Sequence, residues 1–300
     1  MKFPTPFSSL FVSPIELHRA LSNASSNLRI VPVAAGKASS LPSFESQHVP
    51  GSVFFNMDLV RDANSEYPMM LPTSTQFSTY MTELGLHPND VLVIYDAFET
   101  GLHSSPRVAW ICQYFGHRAV HVLNNFPRYV YEALPVCHGR LPSLALTPHS
   151  GPQPGYPVRQ PLASKVISFE ELRDMIVNPS SETRFQIIDA RPSDRFLGAD
   201  GDAVASVLSG HMPSAINVPL STILGPDKAL LPPVDLKALF TKAGVMENIP
   251  TVLSCNSGVT AAALDLALRA SGFQMETKLY DGSWSEWAKR AHEGGLIINK

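Results

Sequence analysis

The stretch best equipped for chemistry is Cys255-Asn256-Ser257-Gly258, set within TVLSCNSGVTAAALDLALRASG at 251–272. Thr251–Ser254 is short and apolar enough to be a buried parallel strand. From Val259 a small-residue run puts Ala263, Leu266, Ala267 and Ala270 on one face of a helix, and Gly272 stands where that helix stops. A cysteine between the two lies at the C-terminal edge of a sheet, in front of the next helix's first N–H groups. Those groups carry partial positive charge and bind anions, which is how a thiol becomes a thiolate nucleophile. The amides of Asn256, Gly258, Val259 and Thr260 are the candidate cradle, with Gly258 allowing the backbone to turn in. A plainer reading stands beside this one, because a lone cysteine at a strand end is usually core packing.

The elements that must position this loop occur twice. In the first half, Ser13-Pro14-Ile15-Glu16 is a capped helix start, 28–33 a strand, and the turn from His48 to Ser52 feeds a second short strand. A helix over 74–84 stops at Gly85, VLVIYD (91–96) is a buried strand, a helix starts at Pro106, and HVLNN (121–125) is a further strand. In the second half, Ser168 restarts a capped helix and FQIIDAR (185–191) is a strand. His211-Met212-Pro213 echoes the His48 turn, TVLSC (251–255) echoes VLVIYD, and KLYDGSWSEW (278–287) echoes HVLNNFPRYV (121–130). The order and near-constant offset describe an internally duplicated α/β unit of roughly 130 residues. We therefore expect one domain over 10–140, a proline- and glycine-rich surface linker over 141–165, and a second domain over 166–300. Where the second copy has Cys255 the first has Asp96, which has no thiol chemistry. The first domain reads as an inactive partner and the second as the catalytic one.

Composition excludes other classes. Hydrophobic content of 44%, charged content of 16% and a net charge of -3 describe an ordinary globular protein with no nucleic-acid footprint. Cys112, Cys137 and Cys255 form no CxxC pair and are too scattered for a disulfide scaffold or a zinc site. No metal or cofactor is expected, and the compartment is reducing. No stretch reaches the ~20 apolar residues of a membrane span. The opening MKFPTPFSSLFVSP is a poor secretory signal and a weak mitochondrial presequence, so cytosol is the default and mitochondrion the second choice.

The combination of Ser254-Cys255-Asn256-Ser257-Gly258-Val259-Thr260-Ala261 with LYDGSWSEW at 279–287 resembles the tandem-rhodanese sulfurtransferases, and within them the 3-mercaptopyruvate sulfurtransferases. The paired His-x-Pro turns, Asp189-Ala190-Arg191 followed by Arg195-Phe196, and Met70-Leu71-Pro72 also match, so the resemblance covers nearly the whole chain. It implies two rhodanese-like domains, each a mainly parallel sheet with helices on both faces. It implies a reaction in which sulfur passes from 3-mercaptopyruvate, or thiosulfate, to Cys255 as a persulfide, and on to a thiol or other nucleophilic acceptor. Thiosulfate-preferring members usually have basic residues just after the cysteine. Asn256 and Ser257 are neutral, which suits a monoanionic carboxylate substrate. Arg195 matches the family's substrate-binding arginine, with a structural salt bridge as the other reading. Arg191 either holds the loop or assists with substrate. Ser257 matches a serine that delivers a proton, or else caps the helix. Asp58 falls on the family's acidic position in the first domain. The family's histidine position holds Met69, Asn256 stands where glycine is usual, and the segment after Arg195 (198–210) lacks a second arginine that many members carry.

Three other functions deserve weighing. A phosphatase with a Cys-loop-helix needs an arginine where this chain has Ala261, and is set aside. A sulfur-relay protein, handing its persulfide to a protein partner for tRNA thiolation, shares the cysteine and differs in acceptor; HVLNNF (121–126) is similar to members of that type. A non-catalytic binding module is the third. His48 and His211 repeat in both copies and read as turn residues, Trp284 and Trp287 as packing, and Cys112 as core.

Overall fold

The computed structural model describes residues 5–23, 28–141, 155–179, 184–199, 209–291 and 295–299. The chain divides into two compact units, one of Met1–Ala63, Leu71–Leu162 and Pro226–Ala229, the other of Asn64–Met70, Ala163–Gly225 and Leu230–Lys300.

The first unit runs β1 (Phe11–Val12), α1 (Pro14–Ser22), β2 (Ile30–Gly36), α2 (Leu41–Ser46), β3 (Val53–Asn56), α3 (Ser74–Glu83), β4 (Val91–Tyr95), α4 (Ser105–Tyr114), β5 (Ala119–Leu123) and α5 (Phe126–Tyr131). The second runs β6 (Val166–Ile167), α6 (Phe169–Val177), β7 (Gln186–Asp189), α7 (Ser193–Leu197), β8 (Ala215–Asn217), α8 (Pro233–Lys242), β9 (Thr251–Ser254), α9 (Ala261–Ala270), β10 (Thr277–Tyr280) and α10 (Ser283–Arg290). The sheets have equivalent orders, β1-β5-β4-β2-β3 and β6-β10-β9-β7-β8, and every neighbouring pair is parallel. Parallel neighbours require crossover connections, which the helices supply. This is the tandem rhodanese-like α/β fold.

The duplication extends to local chemistry. Ser13 accepts from the Glu16 N–H while Glu16 Oε2 accepts from the Ser13 N–H at 2.8 Å, and Ser168 and Glu171 repeat the arrangement with bonds of 3.1 and 2.9 Å. Each reciprocal pair satisfies two N–H groups that a helix start leaves open. β4 and β9, buried at every residue, are the central strands of their sheets. Residues just beyond their C-terminal ends therefore stand at the middle of a sheet edge, where α/β folds place ligands.

Sequence pattern missed the edge strands β1 and β6, which at two residues each are too short to show periodicity. It also missed the helices α2, α5, α7, α8 and α10. α9 begins at Ala261 rather than Val259, so Val259 and Thr260 stay in the loop. Residues 142–154, most of the expected linker, lie outside the described residues. Its last part is held on the first unit: the Tyr156 N–H donates to Thr82 Oγ1 at 2.8 Å, its hydroxyl bonds His117 Nδ1 at 2.7 Å, and Arg159 donates to the Gly116 carbonyl at 3.0 Å.

Candidate active site

β9 ends at Ser254, and Cys255 opens a six-residue loop leading to α9. The floor of that loop is the first turn of α10. Ser283 Oγ accepts from the N–H groups of Cys255 (3.2 Å) and Gly258 (3.0 Å) and donates to the Tyr280 carbonyl at 2.7 Å. The Trp284 N–H donates to the Cys255 carbonyl at 3.0 Å, and both the N–H and hydroxyl of Ser285 donate to the Asn256 carbonyl. Two donors that a helix start leaves open are thus spent on loop carbonyls. Among the described residues, the N–H groups of Asn256, Ser257, Val259 and Thr260 donate to nothing. These uncommitted donors lie on the residues that follow a cysteine that is 2% exposed, with Asn256 exposed and Ser257 and Thr260 half-buried. Cys112 lies inside α4 as a core residue, and burial pushes its thiol up to about 12.

Two sequence expectations need correction. Gly258 supplies the turn, at φ 74, but its N–H faces Ser283 and is not a free cradle donor. Ser257 does not cap α9: that helix starts after Thr260, and the Ser257 hydroxyl has no partner among the described residues.

The arginines separate cleanly. Arg191 is 2% exposed. Its Nε and Nη2 grip the equally buried Asp189 at 2.8–3.2 Å, Nη2 donates to the Gly210 carbonyl, and the guanidinium lies 4.2 Å from the Trp284 ring centre. Burial pushes the Asp189 carboxyl up, and Arg191 pulls against that. Trp284 in turn carries the amide bound to the Cys255 carbonyl. Arg195 stands in α7, which follows β7, the strand next to β9. It is half-buried, and its guanidinium has no partner among the described residues. It is the arginine free to take an anion. The segment expected to lack a second arginine is largely outside the described residues (200–208).

Asp58 belongs to the first unit, where Oδ2 accepts from the Ala38 N–H at 2.9 Å. Met69, at the family's histidine position, is buried at φ 61 in Asn64–Met70, a segment of the second unit. That segment is tied to α10 by Lys289, which pairs with Glu66 at 3.4 Å and lies over the Tyr67 ring.

The first unit shows what such a loop does with an anion. Asp96 follows β4 as Cys255 follows β9, and its buried carboxylate accepts from the N–H groups of His103, Ser104 and Ser105 at 3.1, 2.6 and 2.9 Å. Burial pushes the carboxyl up while these bonds favour its charged form. The first unit's cradle is filled by its own side chain.

Comparisons with known proteins agree with this geometry. Residues 168–290 match the rhodanese-like domain model. The mouse 3-mercaptopyruvate sulfurtransferase is 34% identical over 255 residues, covering 85% of this chain and 81% of that protein. The chain belongs to the rhodanese-type sulfurtransferases. It is 31% identical over 290 residues to the thiosulfate sulfurtransferase TUM1 of Saccharomyces cerevisiae, covering 91% of this chain and 92% of TUM1. The crystal structure of yeast Tum1 superposes with a TM-score of 0.84 at 28% identity, covering 97% and 98% of the two chains. The sulfur transferase subunit of yeast mitochondrial complex I superposes at 0.82 with 28% identity, covering 97% and 100%.

In this sulfurtransferase the repeated histidines are turn residues in both copies. His48 bonds the Phe44 carbonyl and bridges Cys137, and His211 bonds the Phe196 carbonyl and bridges Ile298. Trp287 is core, its Nε1 donating to the Leu296 carbonyl. Sequence reasoning passed over Ser283. The signal for it was the comparison of the two copies, which puts this small hydroxyl opposite Phe126.

Proposed function

We propose that Cys255 is the sulfur carrier and that 3-mercaptopyruvate is its preferred donor, with thiosulfate as a second. The Cys255 thiolate attacks the donor's sulfur, the carbon–sulfur bond breaks, and its electrons leave as the enolate of pyruvate, which takes up a proton at carbon. Sulfur remains on Cys255 as a persulfide. A thiol, on a small molecule or a protein, then attacks the outer sulfur and restores the cysteine. The observation that carries this reading is the set of uncommitted N–H groups of Asn256, Ser257, Val259 and Thr260 in the loop that a cysteine opens at the centre of a sheet edge. They can balance the thiolate and persulfide charge without any cation.

In this reading Arg195 holds the donor's carboxylate, Ser257 serves proton delivery, and Arg191 holds the loop from below. The neutral Asn256 and Ser257 favour a carboxylate donor over a sulfonate dianion. The names of the mouse and yeast relatives support the two donors, and the yeast complex I subunit supports the mitochondrion beside the cytosol as a location. Among the described residues no helix is long and apolar enough to cross a membrane, and no membrane or nucleic-acid partner is proposed.

The test is mass spectrometry after exposure to 3-mercaptopyruvate or thiosulfate. One sulfur atom is expected on the Cys255 peptide, and none anywhere in Cys255→Ser. Loading and turnover unchanged in that variant refute the reading. Pyruvate and sulfide release with a small thiol supports turnover on small acceptors, whereas transfer only to a protein thiol marks the relay form.

A further inference from the structure

The geometry points to Ser283 as the positioning residue that aims the sulfur-binding loop, a role that rests on Cys255 carrying the sulfur. A trans peptide directs its C=O and N–H to opposite sides. The carbonyls of Cys255 and Asn256 are drawn down onto Trp284 and Ser285 of α10. The N–H groups of Asn256 and Ser257 must therefore face away from α10. The N–H groups of Cys255 and Gly258 are drawn to the same turn, onto Ser283 Oγ. One hydroxyl thus closes the loop on itself, binding the residue that opens it and the glycine three positions on.

Several features mark this as a built device. The Ser283 hydroxyl uses its whole bonding capacity, two accepted bonds and one donated to Tyr280. The residue is fully buried, and its backbone takes φ 49, which L-residues with a side chain rarely adopt. Placing glycine there would relieve that strain, and the serine keeps it together with the hydroxyl. Below, Trp284 rests on the Arg191–Asp189 pair, which anchors the turn to the end of β7. The first unit lacks this hydroxyl. Its matching position is Phe126, and its cradle is held by Asp96 instead. A loop that must leave its centre open for a transferable sulfur needs an anchor outside the cradle, and Ser283 provides it.

The test compares Ser283→Ala and Ser283→Gly with wild type in steady-state turnover of 3-mercaptopyruvate and in persulfide loading by mass spectrometry. Both variants lose the hydroxyl, and only glycine relieves the φ, so an effect common to both belongs to the hydroxyl. We expect kcat to fall roughly 10–100-fold in both, since two loop amides lose their acceptor and the cradle loses its preorganisation. KM for 3-mercaptopyruvate should stay within about threefold, because substrate binding rests on Arg195; that split separates aiming the loop from general damage. Far-ultraviolet circular dichroism and the melting transition show whether each variant is folded. If Ser283→Ala does not fold, the glycine variant decides. A folded variant with wild-type kcat, or one whose loss is entirely in KM, overturns the role of Ser283. Wild-type protein that loads no sulfur on Cys255 overturns the underlying assignment instead.

Discussion

Replacing Arg191 by methionine separates a loop-holding arginine from a substrate-binding one. Methionine keeps most of the volume and removes the charge, so the chief consequence is a buried Asp189 carboxylate left without its partner. Breaking one side of a buried ion pair costs about 3–5 kcal/mol. The contact with the Trp284 ring adds about 1 kcal/mol, and the orphaned Gly210 carbonyl about 1 more. At neutral pH we expect a loss of roughly 5–7 kcal/mol, which at about 2–4 °C per kcal/mol lowers the melting temperature of the second unit by roughly 10–30 °C. The loss depends on pH. Burial holds the Asp189 pKa above its ordinary value in the folded state, so ionising it costs stability. That cost is absent below the unfolded pKa and grows as pH rises through the folded one. Without Arg191 the folded pKa rises further, and Arg191→Met should regain stability relative to wild type as pH falls toward 5. The double variant Asp189→Asn/Arg191→Met should recover most of the loss at pH 7. Calorimetry with urea unfolding followed by tryptophan fluorescence reads this directly, since Trp284 and Trp287 are buried in the second unit. A loss below about 1 kcal/mol, accompanied by a large rise in KM for 3-mercaptopyruvate, would refute the reasoning and return Arg191 to the substrate.

Arg195→Ala should lower kcat/KM for 3-mercaptopyruvate about 10–100-fold by removing a charge-assisted bond, while Cys255 loading by an uncharged polysulfide stays near wild type; an unchanged kcat/KM counts against it. Asp96→Ala orphans three amides in the first unit and should cost that unit about 2–4 kcal/mol, read by Trp110 fluorescence, with sulfur loading on Cys255 retained. A cost under about 0.5 kcal/mol would show that the carboxylate does not hold that loop. Burial lowers the His117 pKa from 6.5 to about 4. The neutral ring's stabilising contribution is therefore complete above 6.5 and is lost as pH falls through about 4, a difference on the order of 3 kcal/mol. Urea unfolding at pH 7 and pH 4 should show this part of the slope in wild type and not in His117→Gln, and equal slopes would contradict it.

What the chain disclosed as a string of residues was what local pattern carries. The apolar runs of β4 and β9, the Ser-x-x-Glu starts of α1 and α6, and the echo of one half in the other led to two parallel sheets with Asp96 and Cys255 at matching strand ends. The cysteine loop was legible for the same reason, since its residue types and spacing are contiguous in sequence, whereas a substrate role for Arg195 came only from the family resemblance. Contacts between segments far apart in the chain were not legible. That Arg191 is spent on Asp189 and Trp284, that Gly258 turns its N–H to Ser283, and that Asn64–Met70 joins the second unit all depend on which way side chains and peptide planes face once the sheets have formed. A peptide N–H looks the same in sequence whether it is spent or free. Only packing decides which amides beside Cys255 remain to meet a charge.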